Sequence, residues 1–282
     1  MATPEELRRE KVAAKLLERG FVQAKIPDER DTLVDFRTMS ALATARSPEY
    51  ATAAPFPHVV IDDFLPADSF QTVHDALPTL DDPRIPWGNL SASLRDGRPA
   101  QLRKYHLQNV LLMKPAVRQL ILELNSGPFT LLLERLTGIP KLISDPLLQG
   151  GGVHLVEPGG LLRVHADFNK HPAYRIERRL NLLLYLNVDW REEYGGHLGL
   201  WDKGVSTCLE RVSPVANRCV IFSTTSDSFH GHPSPLTCPE GVLRKSIALY
   251  YYTVGAAEKD ESPGHSTLWQ VLPDEAGGAD ET

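Results

Sequence analysis

Cysteine is scarce in this chain of 282 residues: only Cys208, Cys219 and Cys238 occur, an odd number without CxxC spacing. That argues against a disulfide framework and a zinc–thiolate site, and it leads us to expect a reduced, cytoplasmic setting. Long apolar runs are missing too. Nothing approaches the roughly 18–20 residues of a membrane-spanning helix, so no membrane association is expected. The opening MATPEELRREKVAAKLLERG is charged throughout and lacks the apolar stretch of a secretory signal. There is no basic excess either: 30 Lys and Arg stand against 36 Asp and Glu, a net charge of −6. Such a chain offers nucleic acid no global attraction. No internal repeat is visible.

What remains is the composition of an ordinary globular chain, 42% hydrophobic and 23% charged, long enough to bury one large core. Leu7, Val12, Ala13, Leu16 and Leu17 recur at helical spacing over 4–20, within an N-terminal helical extension spanning 1–52. The rest of that extension has no clear pattern. HVVIDDFL then reads as a strand, and Pro-Ala-Asp leads into a helix carrying Phe70, Val73 and Leu77 on one face. Residues 81–104, rich in polar residues, Gly and Pro, predict a long mobile loop. Helices are expected near 114–125 and 127–137, the second ending at Gly138. From about 147 the chain changes to short strands near 151–156, 161–167, 179–187, 196–201, 207–213, 218–223, 228–232 and 244–253. Such a series predicts a sandwich, jelly roll or barrel. The tail over 256–282 ends in PDEAGGADET, which has no core-forming residue, and partial disorder is expected there.

In RVHADFNKH, His165 and Asp167 stand two apart, so a strand directs both to one face. A metal needs a further ligand, and FSTTSDSFHGHPSP offers His230 or His232 from a distant strand. Two histidines and a carboxylate on one side of an ion, with three positions open, form the facial triad of non-haem iron(II) oxygenases.

With these residues the sequence resembles the iron(II)- and 2-oxoglutarate-dependent oxygenases, in particular their prolyl-4-hydroxylase-like branch. The resemblance runs over roughly 55–253 and is densest in HADF, RLNLLLYLNVDWREEYGGHLGLWD, SFHGHP and RKSIALYYY. It implies an α+β fold, with N-terminal supporting helices and a double-stranded β-helix (jelly roll) core over about 147–253, inside an oxygenase domain at 53–255. It implies Fe(2+), 2-oxoglutarate and O2, with ascorbate as a candidate reductant. Phe229-His230 matches the family's Phe-His pair, which makes His230 the third ligand beside His165 and Asp167, with His232 as the alternative. Arg244 would take the distal carboxylate of 2-oxoglutarate, since a guanidinium matches its two oxygens in one plane. Tyr185 would donate to the same carboxylate, while Ser246 and Asn181 would share the cofactor-facing surfaces. His154 stands where some relatives carry a cosubstrate-holding tyrosine, and with Arg163 it is a candidate for the substrate pocket.

The activity so implied is oxidative decarboxylation of 2-oxoglutarate coupled to hydroxylation of an unactivated C–H bond. The expected substrate is a prolyl or other amino-acid residue, peptidyl or free. A small-molecule natural-product hydroxylase and a non-catalytic jelly-roll binding module are the alternatives. Related halogenases carry glycine or alanine at the position of Asp167, so the aspartate favours hydroxylation. Nucleic-acid demethylases of the superfamily carry a second arginine where this chain has Tyr250, so no nucleic-acid partner is expected. The 81–104 loop, with Trp87, Arg95, Arg98 and Arg103, reads either as a substrate lid or as solvent-facing filler. His58, His74, His106, His171, His197 and His265 read as surface or loop residues, and Gly195-Gly196 as a turn.

Overall fold

The protein is described here by a computed structural model covering residues 32–174, 176–255 and 263–272. The expected helix at 4–20 and the segment PDEAGGADET lie outside the described residues. Among the described residues no helix is long and apolar enough to cross a membrane.

The helices come first. The patternless part of the extension forms α1 (Phe36–Thr52), started by Asp35, whose carboxylate accepts the Thr38 N–H at 2.9 Å. It buries only Met39, Ala43 and Tyr50, too few for a clear apolar stripe. Strand β1 (His58–Ile61) precedes α2 (Ala67–Asp75). Helices α3 (Pro115–Leu124) and α4 (Gly127–Thr137) each carry proline in the first turn. Gly138 ends α4 in the left-handed region, its N–H donating to the Glu134 carbonyl.

The strands are β2 (Gly88–Asn89), β3 (Ala92–Ser93), β4 (Pro99–Leu107), β5 (Ile143–Ser144), β6 (Gly152–Ala166), β7 (Glu177–Tyr185), β8 (Leu198–Trp201), β9 (Cys208–Val212), β10 (Cys219–Ser223), β11 (His230–His232), β12 (Arg244–Thr253) and β13 (Leu268–Trp269). All pairings are antiparallel, in the order β1-β10-β7-β12-β6-β11-β8-β9. Strand β6 holds the two halves together. Its first half pairs with β12, its second half with β11. The result is the expected jelly roll, a nearly closed barrel with helices against one side.

Alternation along β7 divides its work. Leu180, Leu182 and Leu184 face the helices, in one core with Val73, Leu120, Leu124, Phe129 and Leu133. Each such fully buried aliphatic side chain contributes about 1.5–3 kcal/mol, so this layer carries most of the hydrophobic stabilisation. Asn181, Leu183 and Tyr185 face the barrel interior, where Tyr185 packs with Leu198, Leu200, Val212 and Phe222.

Several expectations are corrected. The two strands expected at 151–156 and 161–167 are one strand of 15 residues. Glu157-Pro158-Gly159-Gly160 does not end it but forms a bulge facing Arg103, whose guanidinium donates to the Pro158 carbonyl at 2.8 Å. The segment 81–104 is not one long loop: it carries β2 and β3, and its last part begins β4, which pairs with β6 from Leu162 to Val153. Strand propensity is hidden there because polar residues dominate β4 and leave no apolar alternation to read; Lys104 among them lines the cavity. The 256–282 region is not all tail, since Leu268 and Trp269 pair with Ala166 and His165. His58, His171 and His197 are buried rather than superficial, and His171 accepts the N–H groups of Ala173 and Tyr174 on Nδ1.

At the start of β6, Gly152 has φ +89°, and a Cβ there would stand 2.2 Å from the Leu107 carbonyl oxygen. Neither the backbone strain nor the clash can be relieved by a rotamer change. Gly152→Ala is therefore expected to cost at least about 2 kcal/mol, seen as a lower urea midpoint; an unchanged midpoint would show that β4 and β6 do not approach this closely.

Candidate metal and cosubstrate site

The register of β6 against β11 builds the centre. His230 lies opposite His165, whereas His232 lies opposite Leu162, so β6 carries an extra residue between the two pairs. This bulge turns both Leu162 and His165 inward. The His165 and His230 rings lie 4.5 Å apart between centroids. Asp167 follows the end of β6, with its oxygens 3.5 Å from His165 Nε2 and 3.4 Å from His230 Nε2. One ligand atom from each of His165, Asp167 and His230 lies within 4.8 Å of the others. His232 is not in this group.

Backbone carbonyls aim the imidazoles. His165 Nδ1 meets the Arg163 carbonyl at 2.7 Å and His230 Nδ1 meets that of Ser228 at 2.9 Å. A carbonyl only accepts, so each Nδ1 carries the proton and each Nε2 turns a lone pair to the centre. Burial, then the neighbouring His230, lowers the His165 pKa and favours the neutral, ligating form. Burial by itself would raise the Asp167 carboxyl. The Arg178 guanidinium is the largest opposing cause, and Asp167 is held well below the usual carboxylate range. Two neutral imidazoles and one ionised carboxylate suit a divalent cation, so the residues fit iron(II).

Arg178 and Asn181 grip one oxygen of that carboxylate. Arg178 Nη2 lies 2.9 Å from Asp167 Oδ2, and the Asn181 amide donates to the same oxygen at 2.7 Å. Arg178 also donates to Asn181 Oδ1 and lies over the Tyr250 ring at 3.5 Å. Sequence reasoning missed Arg178 because strict alternation puts Arg179, not Arg178, on the face of Asn181. A register shift opposite Tyr251 and Tyr252 reverses that phase.

Further in, Tyr185, Ser246 and His154 stand opposite one another across β7, β12 and β6, and all three are buried. Arg244 Nε donates to the Gly196 carbonyl at 2.8 Å, and Nη2 donates to Tyr185 Oη at 3.3 Å. The Tyr185 hydroxyl thus accepts from Arg244 and keeps its own proton to donate. Gly196 is required here, since a Cβ would lie 2.9 Å from Arg244 Cδ. One cavity is lined by His165, Asp167, His230, Asn181, Arg244, Ser246, His154 and His232. Arg163 lies outside that lining, its Nε–H donated to the Pro99 carbonyl at 2.7 Å. His154 is held by the Gly150 carbonyl at 3.1 Å, and burial keeps its pKa well below that of free histidine.

Lys104 lines the same cavity and was also missed, since it lay in the presumed loop. Trp269 was missed for a similar reason. Its ring lies 4.9 Å from that of His165, on the side away from His230.

Arg178→Leu would leave Asp167 buried without its cation. Affinity for Mn(II), measured by titration of the metal-free protein, is expected to fall about 10- to 100-fold. A low carboxyl pKa preserves metal binding until the pH falls through it. The variant, with that pKa raised, should therefore lose affinity at a higher pH than the wild type; coincident pH profiles would exclude this role for Arg178.

Comparison with known proteins agrees with this geometry. Residues 151–252 match the model of the 2OG-Fe(II) oxygenase superfamily. No curated protein sequence matches. Among solved structures, a prolyl hydroxylase from Trichoplax adhaerens, in complex with a hypoxia-inducible-factor peptide fragment, is 17% identical. It aligns at TM-score 0.55 over 77% of this chain and 91% of its own. A prolyl 4-hydroxylase from Phytophthora capsici is 16% identical at TM-score 0.55, over 86% of this chain and 70% of its own. Residues 151–252 thus carry the match to the 2OG-Fe(II) oxygenase superfamily within a prolyl-hydroxylase-like fold, and with the His165, Asp167 and His230 cluster this supports an iron(II)- and 2-oxoglutarate-dependent dioxygenase.

Proposed function

We propose that the chain hydroxylates an unactivated C–H bond of a prolyl or other amino-acid residue, in a peptide or free. His165, Asp167 and His230 hold iron(II), while Arg244, Tyr185 and Ser246 receive the distal carboxylate of 2-oxoglutarate. The observation that carries this reading is the convergence of three ligand atoms within 4.8 Å in the cavity that also contains the Arg244 guanidinium. A carboxylate at Asp167 favours hydroxylation. The peptide bound to the Trichoplax prolyl hydroxylase supports an amino-acid residue as substrate. We assign residues 53–255 as the oxygenase domain, with the core over 147–253 and an N-terminal extension over 1–52. All three cysteines are free thiols, which suits a reduced, cytoplasmic setting.

When bound, the iron supplies oxygen activation: one O2 and one 2-oxoglutarate give succinate, carbon dioxide and the hydroxylated substrate. This chain's residues orient and exclude. The Arg163 and Ser228 carbonyls fix the two imidazoles, and Asn181 and Arg178 fix one carboxylate oxygen. Tyr185 and Ser246 present hydroxyls beside Arg244. Val156, Leu162, Leu183 and Leu198 give the cavity apolar walls. Those walls lower the local dielectric and strengthen the grip on the carboxylate.

The test is an anaerobic mixture of protein, Fe(II) and 2-oxoglutarate, which is expected to show the weak visible metal-to-ligand charge-transfer band. Admission of oxygen should then release succinate. Asp167→Ala and Asp167→Asn should both abolish succinate while unfolding cooperatively; the asparagine can still meet Arg178. Wild-type turnover in either would show that the metal is held elsewhere.

A further inference from the structure

Lys104 on β4, Val156 on β6 and Arg244 on β12 stand in one row across three adjacent strands. Cross-strand partners share a face of the sheet. Lys104 and Arg244 accordingly line the same cavity from opposite sides of Val156. With neighbouring strands about 4.8 Å apart, their backbones lie about 10 Å apart, within reach of two long side chains bending to one ligand. The next row inward is His106, His154, Ser246 and Tyr185. In the opposite direction along β6 come Leu162 with His232, then His165 with His230 and Trp269. By register Lys104 therefore shares the row of Arg244, with the triad further along β6 in the same cavity.

The charges there are unbalanced. Arg178 has Asp167 as its counter-ion. Arg244 is hydrogen-bonded to neutral partners, the Gly196 carbonyl and the Tyr185 hydroxyl. The Lys104 ammonium has no hydrogen-bonded or ion-paired partner among the described residues. Burial, the first cause, lowers its pKa to about 8; Asp167 is the strongest charge acting on it and opposes that shift, while Arg244 and then Arg178 add repulsion. Two cations facing one enclosed space repel each other, and an anion placed between them would stabilise both. Arg244 also cannot present its full fork, because Nε already donates to Gly196 and Nη2 to Tyr185. A carboxylate held there has room for a second donor.

We propose that Lys104 is a second cation for the distal carboxylate of the 2-oxo acid cosubstrate, gripping it from β4 while Arg244 grips it from β12. This rests on the cosubstrate reading above. Its position on a strand added outside the eight-strand path gives the cosubstrate end a donor from beyond the core.

The experiment is an anaerobic titration of the Mn(II)-loaded full chain with 2-oxoglutarate and, separately, with 2-oxobutyrate, which lacks the distal carboxylate. Lys104→Met keeps the length and the apolar stem, and is expected to weaken 2-oxoglutarate binding about 10- to 100-fold. It should leave 2-oxobutyrate unchanged, and Lys104→Arg should recover part of the loss. Unaltered 2-oxoglutarate affinity in Lys104→Met, including the case where Lys104 instead serves the hydroxylated substrate, would overturn the inference. So would equal weakening for both acids. Failure of the wild type itself to bind 2-oxoglutarate would overturn the cosubstrate reading, and this inference with it.

Discussion

A strand paired along both edges has little freedom, and β6 is paired on both edges for most of its length. One edge meets β12 and then β11, and the other meets β4 and then β13. Buried N–H and C=O groups left without partners are costly, so neither edge can slip without breaking a neighbour's bonds as well. Every row of the site is indexed to this strand. His154 sets the position of Ser246, Val156 that of Arg244 and Lys104, and His165 that of His230 and Trp269. Barrel and metal centre are consequences of the same hydrogen-bond ladder.

Electrostatics imposes the second constraint. A carboxylate largely removed from water carries an effective penalty of several kcal/mol unless it is paired and hydrogen-bonded. Arg178 and Asn181 meet that need at one oxygen of Asp167, and the aromatic rings of Tyr250 and Phe168 cover the guanidinium. The carboxylate is held ionised and oriented before any metal arrives. In the same cavity Arg244 and Lys104 add positive charge beyond the Arg178–Asp167 pair, so the space as a whole favours an anion.

Much of this was legible in the sequence, for identifiable reasons. HADF and SFHGHP could be read because histidine and aspartate at a period of two have few other common explanations once the blocks occur in order. Alternation in RLNLLLYLN correctly separated Leu182 from Tyr185 because β7 is regular there. Legibility failed wherever the period broke. The register shift near Arg178 concealed the residue that ionises Asp167. Strand β4 carries Gln101, Arg103, Lys104 and His106, which look like loop residues in a linear reading; in the structure Lys104 lines the cavity, while Gln101 donates to the Leu90 carbonyl and Arg103 to that of Pro158. Trp269 lay in an unpatterned segment, and only pairing with Ala166 and His165 gives Leu268 and Trp269 a strand conformation. The buried histidines were misplaced because their partners, such as the backbone N–H groups around His171, leave no sequence signature.

The extra residue that β6 carries opposite β11 has an evolutionary consequence. Between Leu162 and His165 the inward face is reached by counting three, not two, so the chain's phase there depends on its length rather than on side-chain chemistry. A single codon gained or lost in this stretch would rotate one imidazole out of the barrel while leaving every ligand in the polypeptide. Replacing Arg163 or Val164 would disturb a hydrogen bond or local packing but leave that count intact, whereas an insertion or deletion would not.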